Sequence, residues 1–306
     1  MRRVLLATDG SSFSEEAAWF LSHLPHTDRL DLTVITVLDD PSIARNRAAT
    51  VYLKESIERE KAMANDAYQK IVQMFSGANA TLSHVVKEGH RGETVIQVAE
   101  QVDADLILVG ARGHSMVGRL LLGSTSDFVA THASCSVMVY RPTGLRKLSR
   151  PLKITIGFEE SAPARAALEE FAEINWGRQT EVHVVSVVSH MSGFSNEVVI
   201  DPKPITEFAK SKVVKAAKQL EPVAPNATSE VIASEHVGEG LVRFAENNEC
   251  DLIVIGETPR SAIGRFLLGS FSRYVLRHAP CSVWISRTRV IRESKSQDVA
   301  ELAFFN

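Results

Sequence analysis

Two stretches of the chain place small, hydroxylic and basic residues at matching offsets: GARGHSMVGRLLLGSTS at 110–126 and GETPRSAIGRFLLGSFS at 256–272. In the first, glycine at 110 and 113 lets backbone approach a ligand and take conformations closed to other residues. Gly123, Ser124 and Thr125 stand where a helix opens, and the free N–H groups and positive dipole end of a helix start favour an anion. The hydroxyls of Ser124 and Thr125 add hydrogen bonds, and Arg112, His114 and Arg119 supply positive charge. Near the N-terminus, Thr8-Asp9-Gly10-Ser11 contributes a carboxylate at a second turn. These residues describe a phosphate cradle. The plain alternative is a glycine-rich turn with Ser124 as an ordinary N-cap.

The commonest phosphate loops are absent. There is no G-x-x-x-x-G-K-[ST], and no G-x-G-x-x-G after the first apolar run. No Ser-His-Asp, paired-carboxylate or metal-ligand constellation surrounds the cradle. His90 and His236 precede helices at equivalent positions and read as caps rather than metal ligands. His132 and His278, near helix ends, read as partners of the negative dipole end. Cys135 and Cys281 read as small buried hydrophobes, and Asp39-Asp40-Pro41 as a turn.

The elements that must position the cradle alternate strand and helix. VLLAT, LTVITVL, TLSHVVKE, DLILVG and SVMVY are short apolar or β-branched runs. Between them lie SEEAAWFLSHL, residues 51–75, ETVIQVAEQ and STSDFVATHA, with apolar residues at helical spacing. Near-continuous apolar strands separated by helices indicate a parallel sheet covered on both faces. In such a sheet ligands bind beyond the carboxyl ends of the strands, where strand order reverses. Asp9 leaves the first strand and Gly110 the fourth.

The whole pattern occurs twice. A shift of about 146 residues lays HRGETVIQVAEQVDADLILVG over HVGEGLVRFAENNECDLIVIG and CSVMVYR over CSVWISR. Near the starts, a shift of about 150 lays VLLATDGS over ITIGFEES. The expected organisation is an α/β protein of two tandem doubly wound domains, each with a five-stranded parallel sheet. The first spans 1–142, a linker 143–151, the second 152–287, and a tail 288–306. The fifth strand is expected at the edge of each sheet, and an exposed edge invites pairing; a homodimer is one option.

The cradle resembles the ATP-binding branch of the universal stress protein family. That branch carries G-x2-G-x9-G-[ST] after the fourth strand, matched by Gly110, Gly113, Gly123 and Ser124, and an aspartate ending the first strand, matched by Asp9. The resemblance implies an adenine nucleotide alpha hydrolase-like fold and an adenine nucleotide ligand: ATP, ADP or AMP, with Mg2+ as an optional companion. It also implies that the two fifth strands meet, making the halves an intramolecular pseudo-dimer. It places Thr8 and Asp9 near adenine and ribose, and Val37 against the adenine through its backbone. Gly110, Arg112, Gly113 and His114 would line ribose and phosphates; Gly123, Ser124 and Thr125 would hold the phosphates. The second half departs from the pattern at Glu159, Glu257 and Pro259, which implies a degenerate site there.

Composition bounds the rest. In 306 residues, 34 basic against 37 acidic residues leave a net charge of -3, so no global basic field attracts nucleic acid. No apolar run reaches the ~18 residues of a membrane span, and the N-terminal run is too short for a signal-peptide core. Three cysteines without C-x-x-C spacing fit a reduced, cytoplasmic protein. The expected role is a nucleotide-binding regulatory or stress-response module. The alternatives are a slow ATPase or phosphotransferase, and a scaffold with incidental nucleotide.

Overall fold

The computed structural model describes residues 2–25, 28–38, 47–112, 122–148, 150–189, 203–257 and 268–287. Contacts divide the chain into two compact units, 1–141 and 142–306. The first unit runs β1 (Arg3–Ala7), α1 (Ser12–His23), β2 (Leu30–Leu38), α2 (Arg47–Met74), β3 (Ala80–Glu88), α3 (Arg91–Gln101), β4 (Leu106–Gly110), α4 (Ser124–His132) and β5 (Ser136–Tyr140). Its strands lie in the order β3-β2-β1-β4-β5, every neighbouring pair parallel.

The second unit repeats the path with β6 (Lys153–Gly157), α5 (Ala162–Ala172), β7 (Glu181–Ser189), α6 (Lys203–Leu220), β8 (Ala227–Ser234), α7 (Val237–Asn247), β9 (Leu252–Gly256), α8 (Ser270–His278) and β10 (Ser282–Ser286). Its order is β8-β7-β6-β9-β10, again all parallel. The chain is thus an α/β protein of two tandem doubly wound units. Observed element boundaries fall within a few residues of those expected; α2 begins at Arg47, one helical turn before the expected 51.

Burial explains the strand sequences. Every residue of β4 (LILVG) and β5 (SVMVY) is buried, so both faces must be apolar or small. β3 ends the row and alternates half-buried with exposed positions, which is why ATLSHVVKE tolerates Ser83, Lys87 and Glu88. In each unit the chain first adds strands on one side of its first strand, then crosses back to the other. Right-handed crossovers therefore put α1 and α2 on one face and α3 and α4 on the opposite one. The reversal lies between β1 and β4, whose carboxyl ends are Ala7 and Gly110. That crevice is where a doubly wound sheet takes its ligand.

A buried aspartate ties down the start of each unit's central strands. The Asp105 carboxylate accepts the N–H groups of Arg2 at 2.7 Å and Arg3 at 2.9 Å. Asp251, its counterpart, accepts the Lys153 N–H at 3.0 Å and the Thr143 hydroxyl at 2.5 Å. It also takes both terminal nitrogens of Arg150, at 2.7 and 2.9 Å. A two-pronged guanidinium–carboxylate pair is among the stronger charged contacts, and Asp251 holds the Arg150 pKa above its ordinary value. The segment 143–151 is therefore partly anchored to the second unit.

Candidate functional site

The β1–β4 crevice opens into a cleft of about 360 Å³. Thr8, Asp9, Val37, Gly110, Arg112, Gly123, Ser124 and Thr125 all line it. Gly113 and His114, and with them Arg119, lie outside the described residues. The turn after β1 is built by hydroxyls. Thr8 donates to the Ser14 hydroxyl at 2.9 Å, and Ser14 in turn to the Ser11 carbonyl at 2.9 Å. Ser11 caps α1 by accepting the Ser14 N–H. Asp9 receives the Ser11 N–H at 3.0 Å and stays exposed at the rim. Gly10 sits at φ 75°, in the left-handed region that favours glycine.

The opposite wall is the loop from β4 into α4. The Gly110 carbonyl accepts the Ser126 hydroxyl at 2.6 Å, and the Ala111 carbonyl accepts the Gly123 N–H at 2.8 Å. Both loop carbonyls are thereby tied to the helix start. The N-cap of α4 is Gly123, with no side-chain cap bond, and Ser124 is the first helical residue. Ser124 is therefore not the ordinary N-cap of the plain alternative. The opening N–H groups of a helix have no intrahelical partner, and here they begin beside two hydroxyls on a cleft wall. Arg112 adds a guanidinium stacked 5.2 Å from the centre of the Phe13 ring. Chemically, this end of the cleft suits an anion and the apolar end, with Ile35, Val37 and Val95, suits a flat apolar group.

Helices supply wall residues that the motif reading misses. Glu60, Met63 and Ala64 of α2 and Arg91 of α3 also line the cleft. Positions 60, 63, 64 and 67 form one stripe of α2 at helical spacing, and Ala67 lies 3.8 Å from where a side chain on Gly10 would begin. That stripe was the available signal.

The histidines need one correction. His90 and His236 do occupy N-cap positions, but neither imidazole makes a cap bond. The His90 ring instead meets Phe128 edge-on at 5.6 Å. His132 and His278 behave as expected, each bonding through Nδ1 to the carbonyl four residues back. Cys135 and Cys281 are both buried, as expected. Asp39-Asp40-Pro41 lies outside the described residues. No group of three or more His, Cys, Asp or Glu among the described residues forms a metal cluster. No helix among them is long and apolar enough to cross a membrane.

The corresponding place in the second unit is built differently. Glu257, where the first unit has Ala111, is 7% exposed and points its carboxylate at the start of α8. Oε1 accepts the Gly269 N–H at 2.9 Å, and Oε2 accepts the Ser272 hydroxyl. Glu160, where the first unit has Gly10, takes φ 62° and pairs with Lys212 of α6 at 2.5 Å; that lysine holds its carboxyl below the usual range. A Cβ on Gly256 would lie 2.1 Å from the Pro163 carbonyl oxygen, whereas the corresponding Phe13 carbonyl is 3.8 Å from a Cβ on Gly110. Pro259, Gly264 and Arg265 lie outside the described residues.

The family model for the universal stress protein family matches residues 1–141 and 152–287. The chain is 26% identical over 296 residues to Universal stress protein Slr1230 of Synechocystis, spanning 90% of this chain and 96% of that one. A universal stress protein of Methanothermobacter thermautotrophicus is 27% identical over 142 residues, 46% of this chain and 95% of its own length. Among solved structures, a universal stress protein from Archaeoglobus fulgidus superposes with a TM-score of 0.64 at 18% identity, covering 93% of this chain and 96% of that one. The last likeness is one of fold.

Proposed function

The chain belongs to the universal stress protein family, and from that membership we propose that it is an adenine-nucleotide-binding regulatory module whose first unit carries the nucleotide. The observation that supports this most directly is the lining of the β1–β4 cleft. The described residues of G-x2-G-x9-G-[ST] and the acidic residue after β1 face one space, beside a helix start that no side chain caps. The residues fit the group. Gly123, Ser124 and Thr125 would hold phosphates through N–H and hydroxyl groups, and Arg112 would add charge. Thr8, Asp9 and the Val37 backbone would face ribose and adenine, with Gly113 and His114 completing the loop. In this reading Asp9, exposed at the rim, is the carboxylate available to a ribose hydroxyl or a phosphate-bound Mg2+.

The nucleotide acts as a regulatory ligand in this reading, in a cytoplasmic protein without nucleic-acid or membrane partners. A dedicated hydrolase would need a group poised to activate water. The experiment is to denature the purified chain and identify any released nucleotide by mass, then titrate the emptied chain with ATP by calorimetry. Release of an adenine nucleotide together with saturable ATP binding supports the proposal. An empty chain that does not bind ATP, ADP or AMP overturns it, and multiple-turnover phosphate release would move the reading to a slow ATPase.

A further inference from the structure

We propose that Glu257 is the built-in anion of the second cleft, a side-chain carboxylate that occupies the start of α8 and excludes an outside anion from it. The argument begins with an accounting of donors. A buried N–H or hydroxyl at a helix start must find an acceptor or cost free energy. In the first unit the Gly123 N–H and the Ser126 hydroxyl are satisfied by two loop carbonyls, those of Ala111 and Gly110. In the second unit the equivalent donors, the Gly269 N–H and the Ser272 hydroxyl, both go to the one Glu257 carboxylate.

The substitution changes the charge as well as the acceptor. Neutral carbonyls leave the positive end of α4 to attract a separate anion. A buried carboxylate at α8 takes up that field itself, and at a few ångströms it repels any phosphate arriving at the same helix end. The other acidic newcomer, Glu160, turns away to Lys212, so Glu257 is the carboxylate committed to the helix. The loss of a site and the gain of a structural bond are thus one substitution. The comparison rests on the proposed reading of the first cleft only for its idea of an anion seat at α4.

The test uses the full chain without nucleotide, so that its outcome is independent of what the first cleft binds. Hydrogen–deuterium exchange is followed in the peptide covering α8, for the parent, Glu257→Ala and Glu257→Gln, in chloride and in acetate or inorganic phosphate at equal ionic strength. Losing a charged acceptor should speed exchange at the start of α8 about ten- to a hundredfold in the alanine variant. Acetate or phosphate should slow it again in that variant and leave the parent unchanged. Glu257→Gln, which keeps one acceptor and the shape, should fall between them and carries the test if the alanine variant does not fold. Equal exchange in all three proteins would overturn the proposal, and so would an anion effect as large in the parent as in the variant.

Discussion

The starts of α4 and α8 share a glycine cap and a serine three residues on, yet one is held by backbone and the other by a side chain. In the first unit the acceptors are carbonyls, so the ties are neutral and the helix end keeps its field for a ligand. In the second, a carboxylate both closes the hydrogen bonds and cancels that field. The same asymmetry appears at the close approach between β and α elements. Gly256 is pressed against the Pro163 carbonyl, while Gly110 leaves room beside Phe13. A duplicated scaffold can therefore keep its topology while one copy exchanges backbone acceptors for a side-chain one. What the duplication preserves is the set of donors to be satisfied; what it lets change is who satisfies them.

The largest expected effect probes the two strand-start aspartates. Asp251→Ala would leave Arg150 without its buried carboxylate and strip acceptors from Thr143 and Lys153. Breaking a buried pair in this way should cost about 3–5 kcal/mol. Asp105→Ala removes the carboxylate that accepts two backbone N–H groups and a looser contact to Arg3 at 3.6 Å, for about 1.5–3 kcal/mol. Urea unfolding of both variants checks the order. Equal losses would mean that the Arg150 pair adds nothing.

The glycine contrast comes next. Gly256→Ala puts a methyl carbon 2.1 Å from backbone oxygen, so α5 must move, at about 3 kcal/mol, the upper part of the overpacking range. Gly110→Ala meets its nearest atom, the Arg112 carbonyl oxygen, at 3.1 Å, and a small shift should hold the loss near 1 kcal/mol. If Gly110→Ala proves the more damaging in the same urea series, the second unit is not the more tightly closed one.

Ligand affinity gives the third comparison. Ser124→Ala should weaken ATP binding by about ten- to a hundredfold, the value of one charge-assisted hydrogen bond. Ser270→Ala, at the matching position of α8, should leave the calorimetric affinity and stoichiometry where they were. Weakened binding in both variants would point to two working clefts.

Much of this was legible in the residues, and the misses have physical causes. The two α/β units follow from apolar runs too continuous for a half-exposed sheet and from a repeat that keeps its glycines in step. The motif positions from Thr8 to Thr125 that fall among the described residues do line one cleft, because strand ends fix them in space. Glu60, Met63 and Arg91 were missed because a helix residue reaches a cleft only through the rotation that packing imposes on its helix. Glu257 was legible as a charge but not as a bond. Its type says that it repels phosphate, while only the structure places its two oxygens on Gly269 and Ser272. His90 and His236 show the converse: sequence position identified the cap residue, but neither imidazole makes the cap bond.

The smallest effect is a pH dependence in the first unit. His84 on β3 stacks on Tyr68 of α2 at 4.6 Å, and its Nε2 is buried with no hydrogen-bond partner among the described residues. Burial pushes its pKa below the ordinary 6.5, since a charged imidazole there would lose hydration. The sign follows from proton counting. Between the depressed folded value and 6.5 the unfolded chain binds more protons at position 84 than the folded one, so stability falls as pH falls through that window and is fully present above it. Urea midpoints of the parent and His84→Phe at neutral pH and at mildly acidic pH isolate the effect, the phenyl ring preserving the stack on Tyr68. The parent should lose more stability on acidification than the variant, by a modest margin because the ring is only partly buried. Equal acid losses in the parent and in His84→Phe would mean that burial of this imidazole adds nothing to the acid sensitivity of the fold.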